Sequence, residues 1–169
     1  TSVSRGLGDV YKRQLTKLYH WGNKTKFPLR KEGITSKYMG YDVFVSYAKY
    51  GKNEKRYRKK LFDDDIYEII KSDEIYGVAY LKYSAHVDAK PHKDFNLWGK
   101  DFLRIQIPLK IPQGNKCYIE FIETGERFYW QEGKVEIFNV EKLHQGKNDS
   151  DETMEFLYVD INPDTKVEL

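Results

Sequence analysis

The chain has 169 residues, 40% of them hydrophobic and 15% aromatic, so it can bury one sizeable core and is too apolar to be intrinsically disordered. A net charge of only +3 offers no electrostatic argument for nucleic acid binding. The single cysteine, Cys117, excludes an internal disulfide framework and a cysteine-based zinc site, and it favours a reducing, cytoplasmic setting. No apolar run approaches about 18 residues, so we expect no membrane-spanning segment.

The first stretch of the chain, TSVSRGLGDVYKRQ, resembles a translated adapter tail. It lacks the apolar core of a signal peptide. We therefore leave residues 1–14 out of the functional argument as a non-native tail, and we assign residues 15–169 to a single domain.

A short α/β lead-in follows this tail. The segment 41–50, YDVFVSYAKY, is rich in β-branched and aromatic residues, which predicts a strand with Val43, Val45 and Tyr47 on one face. The segment 55–71 predicts one main amphipathic helix, because its apolar residues recur at helical spacing. These apolar residues are Phe62, Ile66, Ile69 and Ile70.

From about residue 75 to residue 162 the sequence consists of short strand signals. They read IYGVAYLKYSAHV, DFLRIQIPLKI, KCYIEFIE, ERFYWQ, GKVEIFNV and TMEFLYVDI. The turns PQGN, ETGE, QEGK and GKNDSD separate them. Closely spaced short strands of this kind are typical of a sandwich, a barrel or a jelly roll.

Two His-x-Asp patterns lie close together, at His86 with Asp88 and at His92 with Asp94. On a strand, residues i and i+2 share a face, so either pattern aims an imidazole and a carboxylate at one point. A second histidine from a facing strand would complete the two-His, one-carboxylate site of non-haem Fe(II) oxygenases. His144 is the one histidine downstream. By spacing alone this signal is weak, and polar residues at strand ends are the simpler explanation of the patterns.

The residues around the second pattern carry a resemblance to a known family. KPHKDFN, FLRIQIPLKI, YWQEGKVEIFNVEKLHQGKND and EFLYVDI follow one another in the order seen in the aspartyl/asparaginyl β-hydroxylase family, including its cis-proline hydroxylase-like branch. The similarity covers about residues 75–162 and favours the second His-x-Asp over the first. The matching residues are Pro91, His92, Asp94, Phe95, Arg104, Ile107, Pro108, Leu109, Gly133, His144, Asn148 and Asp160.

The resemblance implies a mainly β fold, a double-stranded β-helix of the jelly-roll or cupin-like kind. It implies an Fe(II)-dependent oxygenase that uses 2-oxoglutarate and O2 to hydroxylate an amino acid, a peptide side chain or a small metabolite. The implied Fe(II) ligands and catalytic residues are His92, Asp94 and His144. The residues implied to assist cosubstrate binding are Arg104, Gln106 and Asn148.

One position departs from the family pattern. The family places an arginine for the far carboxylate of 2-oxoglutarate ten residues after the distal histidine, where this chain has Met154. A methionine cannot pair with a carboxylate. Three alternatives follow: another cation replaces the arginine, the pocket takes a different cosubstrate, or turnover has been lost. The candidate replacement cations are Lys110, favoured here as a cosubstrate ligand, and Lys116, Lys147 and Lys82.

Two other classes of protein remain open from the sequence. A non-catalytic jelly-roll module that binds a metal or ligand would explain both the aromatic content and Met154. A cupin-type isomerase or dioxygenase would use more histidines together with a glutamate. The partner is a small molecule or peptide, and the sequence says nothing about oligomeric state. Aromatic residues that could line the pocket are Tyr80, Tyr83, Phe95, Trp98 and Trp130.

Overall fold

The protein is seen in a computed structural model that describes residues 9–28, 34–35, 41–51, 56–94 and 97–165. The helices are α1 Asp9–Lys24 and α2 Asp64–Ile70, with a short 3-10 helix at Lys59–Leu61. The strands are β1 Ile34–Thr35, β2 Tyr41–Ala48, β3 Arg56–Tyr57, β4 Ile75–Tyr83, β5 Val87–His92, β6 Leu103–Lys110, β7 Cys117–Phe121, β8 Glu126–Tyr129, β9 Glu136–Phe138, β10 His144–Asn148 and β11 Met154–Ile161.

The strands form two antiparallel sheets. The larger sheet has the order β1-β2-β4-β11-β6-β9, with β3 beside β2, and the smaller sheet has the order β5-β10-β7-β8. From β4 onward the chain passes repeatedly from one sheet to the other, with β7 and β8 as a hairpin in the smaller sheet. This is the double-stranded β-helix that the resemblance implied, so the predicted fold class is confirmed.

Two hydrophobic cores lie on opposite faces of the larger sheet. The helix-side core packs this sheet against α1 and α2, and the inter-sheet core fills the space between the two sheets. Strand β6 shows how the sequence builds both, because side chains alternate between faces. Leu103, Ile105 and Ile107 join the helix-side core, while Arg104 and Gln106 are buried on the opposite face.

The structure has two helices where the sequence predicted one. Helix α1 begins at Asp9, inside the segment set aside as a tail, and buries Leu15, Leu18 and Trp21 in the helix-side core. These three residues recur every three positions and therefore share one helical face. None of the helices in the described ranges is long and apolar enough to cross a membrane.

The predicted helix at 55–71 is shorter in the structure. It begins only after Asp63, whose side chain accepts a hydrogen bond from the Ile66 N–H at 3.0 Å. This aspartate is a favourable N-cap, and Asp64 and Asp65 in the first turn suit the positive end of the helix dipole. Phe62 therefore lies outside the helix.

Strand β2 contains a β-bulge that the alternation of its side chains did not predict. Val45 is aligned with Ala79, but Tyr47 is aligned with Val78, so Ser46 is the extra residue. The bulge moves Tyr47 to the helix-side core, while Val43 and Val45 stay on the other face. The predicted common face of all three residues is therefore wrong.

Candidate metal centre

Three potential metal ligands meet at one end of the β-helix. His92 ends β5, Asp94 follows two residues later, and His144 begins β10 directly opposite His92. Their ligand atoms lie within 4.8 Å of one another, and within the described ranges they form the one such group of three or more His, Cys, Asp or Glu. The His92 Nε2 atom lies 3.7 Å from one Asp94 oxygen, and the His144 Nε2 atom lies 3.3 Å from the other.

A β-bulge in β5 precedes the first two ligands. His144 is aligned with His92 and Gly146 with Ala89, so β5 has one residue more than β10 in this interval. The interval contains Pro91, which has no N–H to contribute to a strand ladder and is tolerated at bulges. A bulge re-aims the side chains that follow it, which suits the turn of His92 towards His144.

The tautomers of both histidines are set by backbone carbonyls. His92 Nδ1 lies 2.6 Å from the Lys90 carbonyl oxygen, and His144 Nδ1 lies 2.7 Å from that of Lys142. A carbonyl only accepts hydrogen bonds, so each Nδ1 carries a proton and donates it. In the neutral rings the lone pairs are then on Nε2, the atoms that face Asp94. Metal-binding histidines are oriented in the same way.

The charge on Asp94 is compensated from three sides. Burial acts to raise the pKa of Asp94, but the Arg104 guanidinium and the nearby His144 and His92 imidazoles hold it below its ordinary range. Burial lowers the pKa of His92, while Asp94 and the Lys90 carbonyl outweigh it and raise that pKa. A divalent cation bound to the two Nε2 atoms and to Asp94 would compensate the carboxylate charge in place of imidazole protons. The three donor groups therefore suit a divalent metal ion.

A buried ion pair supports Asp94. The Arg104 Nε and Nη2 groups donate to the two oxygens of Asp160 at 2.8 and 2.9 Å, and Nη1 donates to Asp94 at 3.1 Å. Trp98 Nε1 donates to Asp160 at 3.0 Å. Burial lowers the pKa of Arg104, while the charges of Asp160 and Asp94 outweigh it and raise that pKa. Arg104, predicted to assist the cosubstrate, thus also orients a candidate metal ligand.

Gln106, which was predicted to assist cosubstrate binding, lines a narrow inner cavity together with His92 and His144. The volume of this cavity is about 10 Å³, which is enough for one water molecule. Trp130 Nε1 donates to Gln106 Oε1 at 2.7 Å. An indole N–H only donates, so the amide oxygen must face Trp130 and the amide NH2 group points elsewhere. The inner cavity is lined by Tyr41, Tyr83, His92, Asp94, Arg104, Gln106, Ile119, Trp130, His144, Gly146 and Tyr158.

The predicted cosubstrate residue Asn148 is placed elsewhere. It is fully buried at the far end of β10, and it lines neither this cavity nor the larger cleft described below. Its amide donates to the Ser84 and Glu152 carbonyls, and its oxygen accepts from Ser150 and from the Cys117 thiol. The geometry therefore gives Asn148 a structural role.

Met154 is fully buried in the inter-sheet core together with Trp130 and Phe156. Four lysines were candidates to replace the arginine that the family has at this position. None of them lines the inner cavity or the larger cleft described below: Lys82, Lys110, Lys116 and Lys147. Lys110 is exposed at the end of β6. Among the described residues of the inner cavity, Arg104 is the one with a permanent positive charge.

The first His-x-Asp pattern lies outside the centre. His86 is an exposed turn residue with φ 59°, and its Nε2 atom lies 2.7 Å from Asp151. Asp88 is exposed on β5, with an oxygen 3.6 Å from Lys147 Nζ. The structure therefore brings together the second pattern and His144, and separates the first from them.

A larger open cleft shares Asp94 and Arg104 with the inner cavity, but neither His92 nor His144 lines it. Its volume is about 460 Å³, and aliphatic and aromatic side chains from β2, β4 and β11 form most of its walls. The lining residues are Tyr41, Val43, Val45, Gly77, Val78, Ala79, Leu81, Asp94, Leu97, Trp98, Arg104, Tyr158 and Asp160.

Of the aromatic residues predicted to line a pocket, Tyr83, Trp98 and Trp130 do so. Tyr80 lies in the helix-side core and bonds to Glu155. Phe95 lies outside the described residues. Tyr41 and Tyr158 line both cavities, although neither was among the predicted residues. Tyr158 could have been found, because it is two residues before Asp160 on one strand, but nothing local indicates Tyr41.

Comparisons with known proteins concern the family and the fold of the chain. A model of the aspartyl/asparaginyl β-hydroxylase family matches residues 57–163, and no curated protein matches the chain. The crystal structure of viral collagen prolyl hydroxylase vCPH from Paramecium bursaria Chlorella virus-1, in its 2OG complex, has a TM-score of 0.53 and 13% identity, covering 95% of this chain and 94% of that one. The polyketide cyclase RemF from Streptomyces resistomycificus has a TM-score of 0.47 and 12% identity, covering 87% and 80%. At such identities the likeness concerns the fold alone.

Proposed function

Because the chain belongs to the aspartyl/asparaginyl β-hydroxylase family, we propose that it is an Fe(II)- and 2-oxoglutarate-dependent oxygenase that hydroxylates a small molecule or a peptide side chain. The observation that carries the proposal is the convergence of His92, Asp94 and His144 with both Nε2 atoms turned towards the carboxylate. Two imidazoles and one carboxylate form the facial triad of non-haem Fe(II) oxygenases. When bound, the iron and the oxo acid would activate O2, which is the oxidant both for converting the oxo acid to succinate and CO2 and for hydroxylating the C–H bond.

The protein's own residues then have distinct roles. His92, Asp94 and His144 would hold the metal, and Arg104 keeps Asp94 ionised and oriented through its 3.1 Å hydrogen bond. Hydrogen bonds of this kind, made to a metal ligand by a neighbouring residue, orient the ligand and tune the properties of the metal. Gln106 would donate its amide NH2 group to an oxygen of the cosubstrate. The geometry gives Asn148 and Lys110 no part in this proposal.

An anaerobic spectrum tests the proposal. Addition of Fe(II) and 2-oxoglutarate without oxygen is expected to produce a visible metal-to-ligand charge-transfer band, and admission of air is expected to release succinate. The His86→Ala variant serves as a control and should behave as the unmodified protein does, because His86 is exposed and bonds to Asp151. Absence of both the band and succinate would refute 2-oxoglutarate use.

A second candidate function is favoured by the surroundings of Met154. This residue is packed among aromatic side chains, and the inner cavity is lined mainly by neutral groups. A charged carboxylate in that environment would be costly without a cation. The alternative is a jelly-roll module that binds a metal or ligand without turnover. The same experiment separates the two, because this module would bind metal but form no succinate.

The orientation of Gln106 leads to a prediction for Trp130. The Trp130→Phe variant keeps an aromatic ring at this position but loses the N–H that fixes the orientation of the Gln106 amide. We expect the Kd for 2-oxoglutarate, titrated by the charge-transfer band, to rise about 3- to 10-fold, since one hydrogen bond contributes about 0.5–1.5 kcal/mol. Metal affinity should not change.

Trp21→Phe is the matched control for this prediction. It also removes an indole hydrogen bond, to the Leu61 carbonyl at 2.8 Å, but in the helix-side core. Its cosubstrate affinity should equal that of the unmodified protein. Equal affinities in Trp130→Phe and Trp21→Phe would show that the Gln106 amide does not contact the cosubstrate.

A further inference from the structure

The floor of the open cleft is apolar. Ala79 on β4 lies between Val45 on β2 and Tyr158 on β11, which are its partners in the strand register. Val43 and Leu81 extend the same surface along the neighbouring positions of these strands. Because side chains of one face recur every second residue, the apolar character is continuous across three strands.

The charged groups that line the cleft are bonded to one another. Asp160 accepts two hydrogen bonds from Arg104 and one from Trp98, and only 3% of its surface is exposed. Asp94 is paired with Arg104 and lies against His92 and His144. A charged ligand group in the cleft would therefore lose its water without gaining a free partner of opposite charge among the described residues.

One wall of the cleft depends on close contact between Trp98 and the floor. If Gly77 carried a Cβ atom, it would lie 2.3 Å from Trp98 Cη2, a distance that side chains do not tolerate. The glycine thus lets the six-membered ring of the indole approach β4 closely, while the indole N–H donates to Asp160. The ring adds a further apolar surface to the side of the cleft next to Asp94.

We infer that the open cleft binds an uncharged, mainly apolar group of the substrate and presents it to the metal ligands, so the substrate class is a molecule or peptide with a hydrophobic group. This inference rests on the proposed function, because the cleft is a substrate site only if the adjacent centre is reactive. The volume of about 460 Å³ admits a group considerably larger than one aliphatic side chain.

Three probes of matched shape test this inference. They are 3-phenylpropanamide, 3-phenylpropanoate and 3-phenylpropylamine, which differ in charge at one end only. Calorimetric titration of the metal-free protein is expected to give a Kd for the neutral amide at least tenfold lower than for either ion. Binding of the anion or the cation as tight as that of the amide, or no binding of the amide, would overturn the inference.

A pair of variants tests whether the neutral amide binds in the open cleft. Ala79→Phe fills the floor between Val45 and Tyr158, and it is expected to weaken amide binding at least tenfold. Ala85→Phe, in the turn between β4 and β5, makes the same change away from both cavities and should bind as the unmodified protein does. If Ala79→Phe retains full affinity, the amide binds elsewhere and the inference fails.

These measurements are independent of iron and 2-oxoglutarate. If the charge-transfer band and succinate are absent while the amide binds selectively, the proposed oxygenase function fails and the ligand class of the cleft stands. If the band and succinate appear while the amide does not bind selectively, the function stands and the inference about the substrate fails. The charge selectivity of the metal-free protein therefore separates the two failures.

Discussion

Replacing His144 by alanine is expected to remove specific metal binding. His144 is 4% exposed, its Nδ1 is bonded to the Lys142 carbonyl, and its Nε2 lies 3.3 Å from Asp94. Loss of a group that merely orients a ligand costs about 10- to 100-fold in metal affinity, so loss of a ligand itself should cost at least about 100-fold. Titration of Fe(II) or Co(II) by calorimetry measures the change, and the anaerobic charge-transfer band should disappear.

The control for this prediction is the same substitution at His86, the histidine of the first His-x-Asp pattern. His86→Ala removes an exposed histidine from the other His-x-Asp pattern, and metal affinity should be unchanged. His92→Ala should reproduce the loss seen for His144→Ala. If the two variants at His92 and His144 bind metal as tightly as His86→Ala, the convergence of these side chains does not reflect a metal site.

Replacing Asp160 by asparagine is expected to lower the free energy of unfolding by about 3 kcal/mol. The substitution removes the charge that two Arg104 groups contact at 2.8 and 2.9 Å, and it leaves a guanidinium only 8% exposed. Breaking one partner of a buried pair costs about 3–5 kcal/mol. We expect the low end of that range because Arg104 keeps its contact with Asp94. Urea unfolding gives the measurement.

Two comparisons make this result specific. Asp88→Asn disturbs an exposed ion pair with Lys147, 3.6 Å long, and should cost less than about 1 kcal/mol. The double variant Arg104→Met with Asp160→Leu should recover only part of the lost stability, because it removes the unpaired guanidinium but also the 3.1 Å hydrogen bond from Arg104 to Asp94. A cost for Asp160→Asn no greater than that for Asp88→Asn would contradict the structural role of the pair.

Much of the architecture follows from local patterns. Polar and apolar residues alternate along β6, and the structure places Arg104 and Gln106 on the face opposite to Leu103, Ile105 and Ile107. Short strand signals separated by turns indicated a sandwich, a barrel or a jelly roll, and the family resemblance implied the jelly roll. The starting point of α2 was less predictable, because the apolar spacing extends beyond the N-cap at Asp63.

The sequence by itself determined which residue types were available and, along a strand without a bulge, which of them share a face, since the two-residue period is a local property of the backbone. The family resemblance then separated His92 and Asp94 from His86 and Asp88. The convergence of His92 and Asp94 with His144 also depends on a bulge in β5, which shifts the register of β5 against β10. Register is a relation between strands, so one strand's pattern does not contain it.

Only the tertiary structure decided the surroundings of the candidate centre. Arg104 and Asp160 are 56 residues apart in the chain and meet because β6 lies beside β11. Tyr41 reaches both cavities from the lead-in through the pairing of β2 with β4. The apolar character of the cleft and the mutual pairing of its charges arise from such long-range contacts, because a strand's partner is selected by the packing of the whole sheet and not by its own residues.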